Sequence, residues 1–530
     1  MVQIKLAGSD NRIACKKGEN LLQVLLKAGI FVDNPCNGTG ICGKCKVCIK
    51  AGKVSPINAT EKALLSQAEL EKGIRLSCMT TVEGDLEIEL LQEERKHKVL
   101  TQGYLPDFEK DSFEKGYGLA IDIGTTTVVT ALIDLKTGKE LANASMINAQ
   151  KHFGLDVLTR ITYEYQHGED GIKELQQALV NSLNTMIEEV CEEAKVNKQE
   201  IAKLHVAANC TMTHMLLGVD ARSLGKTPYT PVFTEGQTVK AASIGINAGM
   251  DTMVYCLPQV SAYIGADIVA GAYVCRLEEQ KGNTLFIDIG TNGEIVLAIG
   301  GRLLCCSCAA GPALEGMNIS AGMRAADGAI EDLRIEPEGV KVTTIGDCEP
   351  VGLCGSGILA AVKELLRTGC IKKSGVFIKK DKIGENDYRQ KLLRDNGVNR
   401  EFVLVEQPEL LVTQSDIRQV QLAKGAILSG FVTLLKKAGI DMKDLDRVMI
   451  AGQFGAHLPA ESLIGVGILP KEIEEKLIYV GNSSKTGAYM TLMSKQITQE
   501  IERLATRMEY IELAETDGYE QIFTSCMMFP

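Results

Sequence analysis

Gly118-Leu-Ala-Ile-Asp-Ile-Gly124 and Thr284-Leu-Phe-Ile-Asp-Ile-Gly290 are nearly the same seven-residue stretch, and their aspartates, Asp122 and Asp288, lie 166 residues apart. Each is an apolar run that ends in Asp-x-Gly-Thr, the pattern of a buried strand delivering a tight turn. A duplication at this distance implies two like-folded α/β lobes. Both lobes carry helices to cover a sheet. Residues 172–190 place Ile172, Leu175, Leu179, Leu183, Met186, Ile187 and Val190 on one face. A second helix is expected from about Ser415 to Lys436, opened by the capping box Thr413-x-x-Asp416.

The strand-ending turns make chemical sense as phosphate sites. Glycine lets the backbone approach an anion, successive amides and threonine hydroxyls donate to it, and the aspartate holds Mg²⁺ or orients water. The expected catalytic carboxylates are therefore Asp122 and Asp288. Gly124, Thr125, Thr126 and Thr127 from the first turn, with Gly290, Thr291, Asn292 and Gly293 from the second, are expected on the phosphates of a clamped triphosphate. Two further glycine-rich segments are Gly352-Leu-Cys-Gly-Ser-Gly357 and Arg447-Val-Met-Ile-Ala-Gly-Gln-Phe-Gly455. They put Gly355, Ser356, Gly452, Gln453 and Gly455 along the adenosine or its phosphates. Dinucleotide binding fits poorly, because no G-x-G-x-x-G follows a first strand with an acidic residue at the usual distance. Glu294 and Glu315 are secondary candidates for magnesium or water, with plain solvation as the competing reading.

Ahead of the lobes, Cys36-x5-Cys42-x2-Cys45 and Cys78 form a four-thiol pattern. Around it, residues 2–6 alternate like a strand, 20–29 carry helical spacing ended by a glycine, 60–72 predict a second helix opening at Thr60, and 84–90 alternate as a closing strand. Together these make a small α+β domain of about ninety residues. A [2Fe–2S] centre needs four converging thiolates, and Gly38, Gly40 and Gly43 supply the turn that brings three of them together. Cys36, Cys42, Cys45 and Cys78 are the expected ligands. Cys15 and Cys48 read as core thiols. In Cys305-Cys-Ser-Cys308 only three thiols lie together, and neighbours on a strand point to opposite faces, so this is a packed strand with Ser307 as a residue that faces a partner's cofactor at most. His214 and His457 read as hydrogen-bonded structural histidines.

Composition narrows the partners. Lys plus Arg number 57 and Asp plus Glu 68, a net charge of −11, which argues against nucleic acid or an anionic membrane. Seventeen cysteines, several at ligand spacing, suit reduced thiols and a cluster better than a disulfide framework. Residues 1–15 lack a basic region leading into an apolar one, and no apolar run approaches bilayer length, so a cytoplasmic location is expected. Residues 92–115 are charge-dense and read as a mobile linker, and 372–401 as a peripheral excursion. The expected division is a domain over 1–91, the linker 92–115, a first lobe over 116–280 and a second over 281–530.

In order, the turns at 122–127, 288–294 and 451–455 resemble phosphate 1, phosphate 2 and adenosine of the ASKHA superfamily, the ribonuclease H-like fold of acetate and sugar kinases, heat-shock chaperone ATPases and actin. The first cysteine gap is one residue longer than the plant-type C-x4-C-x2-C, so the N-terminal domain resembles the adrenodoxin-like branch of the β-grasp ferredoxins. The whole chain resembles the reductive activators of corrinoid-dependent methyltransferases. The stretches carrying that likeness are Asn148-Ala-Gln-Lys-His-Phe-Gly-Leu-Asp-Val157, Asn209-Cys-Thr-Met-Thr-His214, Ala309 to Arg324, Asp416 to Lys424 and Gly481-Asn-Ser-Ser484.

The resemblance implies a [2Fe–2S] cluster, ATP and Mg²⁺ as cofactors, and a corrinoid protein or corrinoid iron–sulfur protein and a low-potential donor as partners. Its implied activity is ATP-dependent reduction of cobalt(II) corrinoid to cobalt(I), and it leaves a homodimer open. The lone Cys526 departs from members with a C-terminal pair of [4Fe–4S] clusters, and the short linker from members with a longer insertion. Two other readings are an activator of a 2-hydroxyacyl-CoA dehydratase, which would share only the ATPase lobes, and a redox-sensing ATP-binding protein without turnover.

Overall fold

A computed structural model describes residues 2–530 except 8–11, 29, 31, 33–39, 41, 42, 44, 92–103, 114, 385, 386, 396–399 and 453–456. Cys36, Gly38, Cys42, Gln453 and Gly455 thus lie outside the described residues. The chain divides into two compact units, Met1–Lys96 and His97–Pro530.

The N-terminal unit is a five-stranded sheet in the order Arg12–Cys15, Val2–Leu6, Val82–Leu90, Lys46–Val54, Ile74–Leu76. Val2–Leu6 and Val82–Leu90 run parallel, and the helix Leu21–Lys27 belongs to the same core, the β-grasp arrangement expected. The single helix expected over 60–72 is two, Ala59–Leu64 and Gln67–Glu71, each opened by its own capping box, at Asn58 with Glu61 and at Ser66 with Glu69. Ser66 in extended backbone stops the first helix and starts the second. Beneath them Glu61 and Arg75 form a buried bidentate pair at 2.8 Å, and the Leu76 amide donates to the same carboxylate. Burial opposes ionisation of Glu61, but Arg75 and the backbone donors outweigh it and hold its pKa below the usual value.

The second unit holds two six-stranded sheets. One runs Gln237–Lys240, Met253–Cys256, Ile201–Ala208, Tyr117–Ile123, Thr127–Asp134, Lys139–Ile147, and the other Leu477–Gly481, Arg447–Ala451, Thr284–Ile289, Gly293–Ile299, Arg302–Cys308, Met508–Tyr510. Each contains the same five-strand pattern, three antiparallel strands from the duplicated stretch onward and two parallel strands on its other side. The duplication in sequence is therefore a duplication of fold.

The helix read over 172–190 lies within Val157–Ala194, which is broken at Gly168 (φ 59°, ψ −136°). The helix Gln414–Ala438 starts at the Thr413–Asp416 capping box as expected. Between the lobes lie the helices Ala266–Val274 and Ser483–Met493, in contact through glycine: a Cβ on Gly487 would stand 2.5 Å from that of Ala270, and one on Gly271 2.9 Å from Ser483 Oγ.

Two expectations change. Residues 372–401 are not a mere excursion, since Phe377 and Leu393 are buried in the second lobe's core and Leu393–Asp395 pairs with Arg400–Val405. Nor is all of 92–115 a tether. The Tyr104 amide donates to Val480 O at 2.8 Å, the Asp111 amide to Met493 O at 2.8 Å, Phe108 meets Tyr489 edge-on, and Phe113 lies under Lys203. Apolar side chains among the charges anchor this part of the chain to the second unit. No described helix is long and apolar enough to cross a membrane.

Candidate functional site

Both duplicated strands end at one cleft of about 740 Å³, part of it open to solvent. Asp122, Gly124, Thr125, Thr126 and Thr127 line one side, and Asp288, Gly290, Thr291, Asn292 and Glu294 the other. The first turn is one residue longer: Asp122 pairs with Val129 across its hairpin, whereas Asp288 pairs with Glu294. The Gly124 amide accordingly donates to Thr127 O and the Gly290 amide to Asn292 O, both at 2.9 Å. Gly293 starts the returning strand of the second turn, as Thr127 does in the first.

The two aspartates differ in their partners. Asn482 Nδ2 and Ser484 Oγ each donate to the Asp122 carboxylate at 2.8 Å, from the start of helix Ser483–Met493. Asp288 accepts no hydrogen bond from a described residue. Burial, Asp267 and Asp122 raise its pKa to about 8. Asp267, at the start of helix Ala266–Val274, is itself raised to about 7 by burial and then by Asp122. Burial and these neighbours push Glu294 well above the ordinary range, against a hydrogen bond from Ser307 Oγ at 3.3 Å.

Glu315, 2 % exposed, closes the cleft's floor: Thr126 Oγ1 donates to it at 3.1 Å and Thr291 Oγ1 donates to its other oxygen, so one carboxylate joins the two turns. It is buried, contrary to a solvated reading.

Gly452 lies against Asp288, where a Cβ would come within 2.3 Å of Oδ1, and its φ of +89° suits only glycine. Gly355 and Ser356 are absent from the cleft's described lining. A Cβ on Gly355 would meet Leu314 O at 1.7 Å, and Ser356 Oγ lies 3.2 Å from Cys354 Sγ. Cys305 faces the interlobe core, and Cys306 and Cys308 the other side of the sheet. His214 is a buried structural histidine: its Nδ1 lies 2.9 Å from Cys210 O, its Nε2 accepts from the Val232 amide, and its ring stacks on Phe233. His457 is exposed.

Sequence reasoning passed over Asp267, for which Gly265 two residues earlier was the only signal. It quoted Asn482 and Ser484 without a role.

Among the described residues no three ligating side chains converge at direct metal distance. Mg²⁺ keeps several waters and takes one or two carboxylates with the substrate phosphates. A cleft edged by the carboxylates of Asp122, Asp288 and Glu294 fits that habit.

In the N-terminal unit Cys45 Sγ and Cys78 Sγ lie 3.2 Å apart, both buried. The Ser77 amide donates to Cys45 O at 2.8 Å and Asn20 Nδ2 to Cys78 O at 2.8 Å, which fixes both backbones. Gly40 and Gly43 have φ of +79° and +66°, and a Cβ on Gly40 would stand 2.4 Å from Met79 Cε. Two thiols held together beside a left-handed glycine turn fit an iron–sulfur cluster. Cys15 and Cys48 are buried, as expected of core thiols.

Two like lobes closing on paired Asp-Ile-Gly-Thr turns define an ASKHA ATPase, here in one chain with a [2Fe–2S] ferredoxin unit. Residues 4–83 match the family described as 2Fe-2S iron-sulfur cluster binding domain, 117–280 the RACo middle region, and 282–530 the C-terminal domain of RACo, the ASKHA domain. The chain is 34 % identical over 447 residues to the corrinoid activation enzyme RamQ of Eubacterium limosum, covering 82 % of this chain and 74 % of that protein. It is 25 % identical over 440 residues to the [Co(II) methylated amine-specific corrinoid protein] reductase of Methanosarcina barkeri, covering 77 % and 76 %. A solved reductive activator for corrinoid, iron-sulfur protein superposes with a TM-score of 0.70 at 32 % identity, over 100 % of this chain and 98 % of that one. The chain belongs to this family of corrinoid reductive activators.

Proposed function

We propose that the protein reduces the cobalt(II) corrinoid of a partner protein to cobalt(I), passing electrons through its N-terminal unit under the control of ATP bound between its lobes. The observation that carries this reading is the union, in one chain of this family, of a buried thiol pair at 3.2 Å with two Asp-Ile-Gly-Thr turns facing across one cleft. Its expected setting is the cytoplasm.

Cys36, Cys42, Cys45 and Cys78 hold the cluster, which when bound supplies one-electron transfer. Gly124 to Thr127 and Gly290 to Gly293 take the phosphates through amides and hydroxyls. Asp288, which accepts no hydrogen bond from a described residue, is the carboxylate that positions magnesium-bound water, and Asp122, held by Asn482 and Ser484, orders the opposite side. Asp267 and Glu294 add negative charge that a divalent cation compensates. Gly452 makes room for Asp288, and Gly355, Ser356, Gln453 and Gly455 run along the adenosine or its phosphates. The working division is 1–91, 92–115, 116–280 and 281–530, with Tyr104, Phe108, Asp111 and Phe113 of the second segment packed on the unit that follows.

A cobalt(II) corrinoid couple lies below an ordinary [2Fe–2S] potential, so the uphill transfer needs a change in how the partner is gripped. Differential affinity of the ATP and ADP states for the partner supplies it. With an external reductant, the full chain should produce the cobalt(I) absorbance of a corrinoid partner only when ATP is present. Cys42→Ser should abolish it while leaving ATP binding intact. Equal rates with and without nucleotide would sink the gating.

A further inference from the structure

The stretch Asn148 to Val157, with the helix that follows it, carries no role in the reading above, yet it holds the back of the first phosphate turn. The three consecutive carbonyls of that turn are each taken by it. Asn148 Nδ2 donates to Gly124 O at 2.9 Å, Arg160 Nη2 to Thr125 O at 2.6 Å, and the Asn148 amide to Thr126 O at 2.8 Å. Asn209 Nδ2 adds a bond to Thr125 Oγ1 at 3.0 Å. With its carbonyls drawn away from the cleft, a turn of this kind is left with its amides for an anion.

Arg160 is the unusual member. It is fully buried, and its remaining donors go to Gly154 O at 2.9 Å, Gln150 Oε1 at 3.1 Å and Met212 Sδ at 3.2 Å. Every one of these acceptors is neutral. Asp156, the anion felt most, is occupied in capping its helix through the Thr159 amide. Burial lowers the guanidinium's pKa to about 9, which leaves it charged at neutral pH. Gly154 permits the approach, since a Cβ there would stand 2.8 Å from the Arg160 amide nitrogen. A buried cation without a paired anion is costly in isolation, and an anion arriving at the other side of the turn relieves that cost.

We propose that Arg160 is the positioning residue of the first phosphate turn and, acting through Thr125, supplies the positive charge by which the cleft selects a polyphosphate over a neutral nucleoside. The inference rests on the cleft being a nucleotide site. The full chain, its cluster intact, is titrated with MgATP and with adenosine. The wild-type protein should bind MgATP far more tightly than adenosine. Arg160→Gln should raise the Kd for MgATP about tenfold or more, the effect of losing a charged hydrogen bond, and move that for adenosine less than about twofold.

Arg160→Lys, which keeps the charge without the planar fork, should recover at least half of the lost discrimination on a logarithmic scale. If Arg160→Gln does not fold, a lysine variant that binds MgATP no better than adenosine overturns the proposal. So does an unchanged MgATP-to-adenosine ratio in the glutamine variant with only its melting temperature lowered, since that is the mark of a structural arginine. If the wild-type chain binds no MgATP, the nucleotide reading itself fails first.

Discussion

The two aspartates end like strands in nearly identical sequence, yet they stand in opposite environments. Burial raises the pKa of both, but Asp122 receives two neutral donors, Asn482 and Ser484, whereas Asp288, beside the same acid Asp267, accepts from no described residue and pairs across its hairpin with Glu294. The difference arises at the starts of two corresponding helices. The one that follows the second lobe's last parallel strand brings Asn-Ser-Ser to the first lobe, and its counterpart after the first lobe brings an aspartate. A duplicated motif thus delivers two equal carboxylates, and the helices packed between the lobes give them different work. Asp122 is restrained, and Asp288 is left for a cation or water.

Substitution of the pair is the most severe way to break this contrast. Asp288→Asn should lower ATP turnover by about 10²–10³-fold. Asp122→Asn, whose amide still pairs with Asn482 and Ser484, should cost about tenfold. Phosphate release measured side by side decides it, and equal losses would mean the two sides share one role. Next in size is Gly452→Ala. Its Cβ would come to 2.3 Å from Asp288 Oδ1, and a displaced catalytic carboxylate costs up to about 10²-fold. Turnover should fall while the visible spectrum of the cluster stays unchanged.

Acidity sharpens the comparison further. Burial and neighbouring carboxylates raise Asp288 to about 8 and Asp267 to about 7, above their unfolded values. The folded chain therefore binds these protons more tightly than the unfolded one. The stability they contribute is fully present below the ordinary carboxylate pKa of about 4 and is lost as pH rises towards the raised values. Without nucleotide, the melting temperature of the ATPase unit should decline between pH 5 and pH 8. MgATP should flatten the decline, as should Asp288→Asn. A wild-type melting curve indifferent to pH would show that these acids are already compensated. The smallest effect belongs to Asn482→Ala, which leaves Asp122 one of its two donors and should reduce turnover by about threefold to tenfold.

How much of this was legible depends on what each residue type advertises. The two turns were readable because an apolar strand, an aspartate and a glycine in fixed order have few other uses, and the structure brings both to one cleft. Asp267 was not, since its carboxylate reaches the site from the start of a helix far along the chain, with nothing periodic around it. Arg160 belongs to no motif of its own, and only the packing of Val157–Ala194 against the first turn gives it a partner there. The segment Gly352–Gly357 carries the glycine signature of a phosphate loop, and the missing side chains of Gly355 and Gly357 also admit the carbonyls of Leu314 and Ile330. Of the four expected cluster ligands, Cys45 and Cys78 lie 3.2 Å apart, and Cys36 and Cys42 lie outside the described residues. Ser66-x-x-Glu69 was present in the sequence as a second capping box, and a continuous hydrophobic pattern hid it.

Glu315 gives the cleft a particular thermodynamics. Because its carboxylate already accepts from Thr126 and Thr291, the hydroxyls offered to a phosphate are not idle beforehand. Ligand entry at that point is an exchange of one acceptor for another. Its free energy is the difference between two strong hydrogen-bonding anions, and, the amides of Gly124 and Gly290 being already engaged, only the other turn amides contribute their full worth.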